Sequence, residues 1–237
     1  ATALQLSAQG TAFTAKGGLT IGTQRWNGAD ASLARFSYHA AGAFEFLTGW
    51  KESPGAKSKR QTIFGLGFGL HNKGNAVRVR FQDPNNASIF VREQLSNSFQ
   101  NISASFFAKG AHLSGSQTEV YYLMALRLDY TVRFALLTQG LDPYVNRFNY
   151  GLTLGGGMTY YIPNTRFGIF LEASISPDIS RQLFVPAGIP IVYQADGRTY
   201  SYPSTELRVN NLILELSLGF KILPPVYEPD PEEEEVF

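Results

Sequence analysis

No cysteine occurs among the 237 residues, which excludes a disulfide framework and thiolate-held zinc or iron–sulfur centres. Nor is there a run of about 20 apolar residues, the length an α-helix needs to cross a bilayer. The longest uncharged stretch, 148–165, is interrupted by Gly155, Gly156, Gly157 and Pro163. Charge is scarce, at 16% Asp, Glu, Lys and Arg against about 25% in an ordinary soluble domain. The three histidines, His39, His71 and His112, are scattered without metal-ligand spacing, so no metal and no other cofactor is expected. The glycine-rich stretches at 65–69 and 155–157 do not open helices, which argues against a phosphate loop. No stripe of basic and aromatic residues points to nucleic acid.

What is abundant is apolar and aromatic: 44% hydrophobic residues, with 18 Phe, 12 Tyr and 2 Trp. That is too much for a disordered chain. These residues recur with period two. In 35–50, Phe36, Tyr38, Phe44, Phe46 and Trp50 alternate with Arg35, Ser37, His39, Ala41, Ala43 and Glu45. In 118–134, Val120, Tyr122, Met124, Leu126, Leu128 and Tyr130 alternate with Glu119, Arg127, Asp129 and Arg133. The same alternation runs through 13–23, 61–71, 149–162, 166–176 and 208–222. Strict alternation is the mark of a strand with two unlike faces. An eighth, weaker strand lies within 89–108, where Ile102, Ala104 and Phe106 alternate with Ser103 and Ser105. Such lengths exceed the globular mode of about 5–6 residues and suit tilted strands that cross a bilayer.

Two features say which face is outside. The polar face is small, with Ala41, Ala43, Gly65, Gly67, Gly69, Gly155 and Gly157, as the tight interior of an eight-stranded barrel requires. Aromatics gather toward strand ends: Phe36, Tyr38, Phe46, Trp50, Tyr150 and Tyr160 form the expected interfacial girdle. The expectation is therefore an all-β, eight-stranded, antiparallel up-and-down transmembrane β-barrel over 12–222, preceded by a periplasmic segment 1–11 and followed by a tail 223–237. Connections 51–60, 109–117 and 162–165 fall at one end, and 27–34, 82–88, 135–148 and the long 178–207 at the other. Outer-membrane barrels keep short turns on the periplasmic side, which puts both termini in the periplasm of a Gram-negative cell.

The strand Lys16-Gly17-Gly18-Leu19-Thr20-Ile21-Gly22, the stretch Tyr150-Gly151-Leu152-Thr153-Leu154-Gly155-Gly156-Gly157 and the closing Leu216-Ser217-Leu218-Gly219-Phe220-Lys221-Ile222 resemble the PorT-like, OmpA-like eight-stranded outer-membrane barrel proteins of Bacteroidetes. The resemblance covers most of 12–222 and implies an integral outer-membrane protein; some members of that family serve type IX secretion and gliding machinery. The poorly patterned fourth strand and the tail depart from it.

On the inward face, Lys16, Glu45, Arg127, Asp129, Glu172 and Glu215, with Arg133 and Lys221, are expected to form an ion-pair network that fills the lumen, since buried charges need partners. Lys16 and Glu45 are equidistant from the middle of the 27–34 connection and are expected to be cross-strand neighbours. The tail reads Pro-Pro-Val-Tyr-Glu-Pro-Asp-Pro-Glu-Glu-Glu-Glu-Val-Phe from Pro224 to Phe237. Its six acids leave a formal +7 on the other 222 residues, which hold all 20 Lys and Arg against 13 acids. Tyr227, Glu228, Asp230, Glu232, Glu233, Glu234, Glu235 and Phe237 suit an extended docking peptide for a basic surface. The expected role is an accessory subunit of an envelope complex with no catalytic residues. Outer-membrane lipid or lipopolysaccharide and other envelope proteins are the expected partners. The alternatives are a lipid-modifying barrel enzyme using Ser37 and His39, and a small diffusion pore.

Overall fold

The computed structural model describes residues 10–26, 33–49, 51–52, 59–83, 86–114, 117–136, 141–195, 198–203 and 206–224. Eight antiparallel strands form the barrel: β1 (Gly10–Trp26), β2 (Arg35–Leu47), β3 (Lys59–Asp83), β4 (Asn86–Ser114), β5 (Thr118–Ala135), β6 (Phe148–Tyr161), β7 (Phe167–Pro177) and β8 (Leu207–Ile222). Each pairs with the next in the chain, and β1 pairs with β8 from Phe13↔Ile222 to Trp26↔Val209, which closes the sheet. A closed sheet leaves no unpaired edge, the condition for a β-structure to lie in hydrocarbon.

The polarity is inverted relative to a soluble barrel. Leu19, Leu126 and Leu218 point outward and are 59%, 61% and 62% exposed, while Glu45, Lys73 and Glu172 point inward and are 0%, 1% and 2% exposed. An apolar exterior around a charged interior makes this a membrane-spanning barrel of the outer-membrane type. The interior is narrow, and glycine makes it possible. A Cβ on Gly18 would fall on the carbonyl of Leu216 in β8, and one on Gly65 would fall on the Phe107 ring.

The structure revises several expected boundaries. The weak fourth strand is β4, the longest of all at 29 residues. Its pattern is faint because its inward positions are small and polar: Asn97, Asn101, Ser103 and Ser105. The connection expected at 109–117 is shorter, because β4 continues to Ser114 and β5 begins at Thr118. Segment 82–88 is the tip of a hairpin whose arms run on past the barrel. β3 pairs with β2 only as far as His71, with one further bridge Ala76↔Leu33, and β4 pairs with β5 only from Ser98 onward. Beyond these points the two strands pair with each other, as far as Gln82↔Phe90. That arm is roughly 20 Å long at about 3.3 Å per residue. The connection 178–207 holds the short strands Leu183–Val185, Pro190–Ala195 and Arg198–Pro203. The strand expected to reach Trp50 ends at Leu47, and Trp50 lies outside the described residues.

Both mouths of the lumen are blocked. At the short-turn end, buried Ala12, Leu47, Ile63, Ala111 and Tyr121 pack together with Leu223. At the long-connection end, Leu141, Leu183, Val185 and Val209 form a second apolar layer. That lid includes segment 178–185, which continues β7 between β6 and β8 past a bulge: Asp178 and Gln182 donate backbone N–H to Asn211 and Val209 carbonyls at 2.9 and 2.8 Å, and Leu183 pairs with Val209.

Candidate functional site in the lumen

Between the two apolar layers the strands project charged side chains into a space too narrow for bulk water. The charges fall into two clusters. In the one nearer the short turns, Glu45 sits between two lysines: Lys109 Nζ lies 2.6 Å from Oε1 and Lys221 Nζ 3.0 Å from Oε2. Lys221 also reaches Glu119 at 3.5 Å, whose other oxygen accepts the Tyr161 hydroxyl at 2.6 Å. Glu172 accepts from Lys16 at 2.5 Å and from the Tyr121 hydroxyl at 2.9 Å. The Lys109 ammonium additionally lies 4.6 Å from the Tyr121 ring centroid. Three carboxylates therefore face three ammonium groups, with two phenols taking leftover acceptor sites.

The second cluster lies toward the long connections. Asp129 accepts from Lys73 at 2.6 Å and from Arg127 Nε at 2.9 Å on the same oxygen, and its other oxygen is 3.2 Å from His71 Nε2. His71 Nδ1 is 3.0 Å from Glu215. The ring thus bridges two carboxylates, one at each nitrogen. Asp178 joins from just beyond β7: Lys73 donates to it at 2.8 Å, Arg127 Nη2 donates to it too, and Asn211 Nδ2 donates at 2.8 Å. Asn211 continues to Gln24, which donates to it at 2.8 Å, and to Gln182; Gln182 passes on to Thr131 and Thr131 to Asn101. A cavity of about 100 Å³ separates the clusters, with Lys16, His39, His71, Arg127, Glu172 and Glu215 on its wall. It is the size for a few water molecules.

All six residues expected in the network, Lys16, Glu45, Arg127, Asp129, Glu172 and Glu215, line the lumen, but they divide between the clusters and not all pairings are as expected. Lys16 does not face Glu45. The register sets Lys16 opposite Ala41 and Glu45 opposite Ala12, and the partner of Lys16 is Glu172 on β7. The connection is asymmetric, since β1 runs to Trp26 and the pairing with β2 already stops at Gly22↔Arg35. Arg133 is turned outward. Val132 is skipped where Gln100↔Arg133 gives way to Asn101↔Thr131, and this bulge reverses the phase of the strand beyond it. Sequence reasoning missed Lys109 and Asp178, which it assigned to connections, and Lys73, which lay just past an expected strand end.

Ser37 is not the partner of His39. His39 Nε2 is 2.8 Å from Ser217 Oγ and Nδ1 is 3.0 Å from Thr20 Oγ1, with Glu215 at 4.0 Å. A serine, a histidine and a carboxylate come close, but Ser217 is 1% exposed inside a lumen closed at both ends. No lipid acyl chain reaches that hydroxyl. Phe36, Tyr38, Phe46, Tyr150 and Tyr160 of the expected girdle point outward and are 71%, 69%, 39%, 52% and 46% exposed. Phe36, Tyr38 and Tyr150 lie toward the long-connection end, and Phe46 and Tyr160 toward the short turns. The tail residues Tyr227, Glu228, Asp230, Glu232, Glu233, Glu234, Glu235 and Phe237 lie outside the described residues. Among the described residues no group of His, Asp and Glu has the arrangement of a metal site.

No family model and no curated protein matches the chain. Solved structures that it is similar to are outer-membrane barrels. The outer membrane protease OmpT from Escherichia coli matches at 8% identity and a TM-score of 0.41, covering 93% of this chain and 99% of that one. The outer membrane protein OprG from Pseudomonas aeruginosa matches at 10% identity and a TM-score of 0.44, covering 90% and 96%. Ail, the attachment invasion locus protein of Yersinia pestis, matches at 10% identity and a TM-score of 0.28, covering 89% and 98%. At such identities no residue role passes from them to this chain. They do correct one expectation. The chain was expected not to be an enzyme, and that does not stand, because barrels of this kind include a protease.

Proposed function

We propose that this barrel is a closed membrane anchor, a structural or accessory subunit of an envelope complex that meets its partners at its two rims. The observation that carries the reading is the blocked lumen. Two apolar layers and two interlocked charge clusters stand in series among the described residues, which disfavours a diffusion-pore role. The rims are what remain for binding. One rim carries the β3–β4 arm and the 178–207 connection. The other carries the short turns and the exit of the acidic tail, which in this reading faces the periplasm and docks through Tyr227, Phe237 and the acids between them. The PorT-like motifs favour secretion or gliding machinery as the class of complex. The test is affinity purification from native membranes with the full chain and with a chain ending at Pro224. Loss of a periplasmic partner on truncation supports the docking role, and an unchanged partner set sinks it.

A further inference from the structure

We infer that the barrel wall carries a binding site for a phosphorylated lipid headgroup, in the groove between the turn 142–146 and the segment 179–184. This rests on the membrane-spanning character of the barrel and is independent of the accessory-subunit reading. The outward positions of β7 are Phe167, Ile169, Leu171, Ala173, Ile175 and Pro177, and the alternation continues into Ile179, which is 53% exposed. Twelve residues at about 3.3 Å, tilted about 40°, span roughly 30 Å of height, close to the thickness of a bilayer's hydrocarbon core. The next outward residue is Arg181, which is exposed. An arginine directly above the apolar band stands at the level of lipid phosphates.

The groove beside it is built rather than incidental. Its volume is about 740 Å³, and Tyr144, Tyr150, Ile179, Arg181 and Phe184 are on its walls. Its two sides are tied together. Ile179 N–H donates to the Tyr150 carbonyl at 2.9 Å, Tyr150 N–H donates to Ser180 Oγ at 2.8 Å, and Asn146 N–H donates to the Gln182 carbonyl at 2.9 Å. Arg181 lies over the Phe184 ring at 5.5 Å, and Arg147, just beyond the turn, lies over Phe134 at 5.9 Å. Neither guanidinium has a carboxylate partner among the described residues, whereas Arg208 on the neighbouring β8 is paired with Glu206. Asp142 in the same turn is exposed and makes no ion pair among the described residues. Arg181, on the groove's wall, thus packs on an aromatic ring and keeps its fork of N–H donors free of carboxylates, the arrangement that binds phosphate. The lower wall, Tyr150 and Ile179, continues the lipid-facing band. The occupant therefore carries acyl chains as well as phosphate, so it is a lipid of the surrounding leaflet and not a soluble anion.

The experiment is native mass spectrometry of the full chain in detergent, with bisphosphorylated lipid A as the probe and diacylglycerol as the phosphate-free comparison. One lipid A is expected to be retained in preference to diacylglycerol. Arg181→Ala is expected to lower retention by about tenfold or more, as loss of charge-assisted hydrogen bonds implies. Arg166→Ala, at the opposite end of the barrel, is expected to change nothing, and millimolar inorganic phosphate is expected not to displace the lipid. Arg181 is exposed, and heat-modifiable gel mobility reports that the barrel has folded; Arg181→Lys, which keeps the charge and loses the fork, supplies a milder variant with intermediate retention. Equal retention in wild type and Arg181→Ala overturns the proposal. So does an equal loss in Arg166→Ala, or displacement by phosphate alone.

Discussion

Glu45 shows what a single residue does in this lumen. It is fully buried, and each of its oxygens faces a lysine. Removing one member of a buried ion pair leaves the other charge uncompensated, which costs about 3–5 kcal/mol. Glu45→Gln leaves Lys109 with only Glu172, at 3.9 Å, and Lys221 with Glu119 alone, so the unfolding free energy from urea titration, followed by heat-modifiable mobility, is expected to fall by up to that amount. Lys73→Met is expected to be at least as damaging, because it leaves Asp129 and Asp178 sharing only Arg127 and His71. Single residues are also where sequence reading stopped. Alternation told which residues face inward, because that depends only on parity along one strand. It did not tell that Lys16 pairs with Glu172, since that depends on the stagger around a closed barrel, which a connection's midpoint does not encode. Nor did it show Arg133 turned outward, because one unpaired residue at 132 inverts the phase.

At the level of the element, a connection with no periodic pattern became part of the interior. Segment 178–185 was legible only as a long loop, because its alternation is brief and its Asp and Gln read as surface residues. Their burial follows from partners on other strands: Lys73, Arg127 and Asn211 for Asp178, and Thr131 for Gln182. Asp178→Asn keeps the shape and removes the charge that holds two cations. Backbone amides of 178–185 are expected to lose hydrogen-exchange protection by at least tenfold, the equivalent of about 1.4 kcal/mol, while amides of β1 and β2 stay unchanged. The turn between β6 and β7 offers a second test outside the bilayer. Asn164 has φ 59°, in the left-handed region that asparagine tolerates and β-branched residues do not. Ile162 N–H closes the turn on the Phe167 carbonyl at 2.9 Å. Asn164→Gly is expected to be close to neutral, and Asn164→Val to cost about 1–2 kcal/mol in the same urea measurement.

For the whole molecule, the decisive property is that its barriers are in series. The described lumen holds six carboxylates, Glu45, Glu119, Asp129, Glu172, Asp178 and Glu215, against Lys16, Lys73, Lys109, Arg127 and Lys221, with His71 between Asp129 and Glu215 and with Arg35 donating to the Asn97 carbonyl nearer the long connections. Each of these carboxylates is thus within reach of a lysine, an arginine or His71. A pore needs fixed charge that is answered by ions passing through, and a continuous wet path; among the described residues the lumen between the layer at Ile63 and the layer at Leu183 holds paired charges and a cavity of about 100 Å³. Planar bilayers containing the protein are expected to show no unitary conductance above the lipid background. Asp178→Ala/Gln182→Ala loosens only the lid and the outer cluster. The inner cluster of Glu45, Lys109, Glu119 and Lys221 and the apolar layer below it stay intact, so this variant is expected to remain non-conducting as well. Steady channels in the wild type would overturn the closed-anchor reading. Channels appearing in the lid variant alone would show that the inner cluster passes ions and that segment 178–185 is the gate.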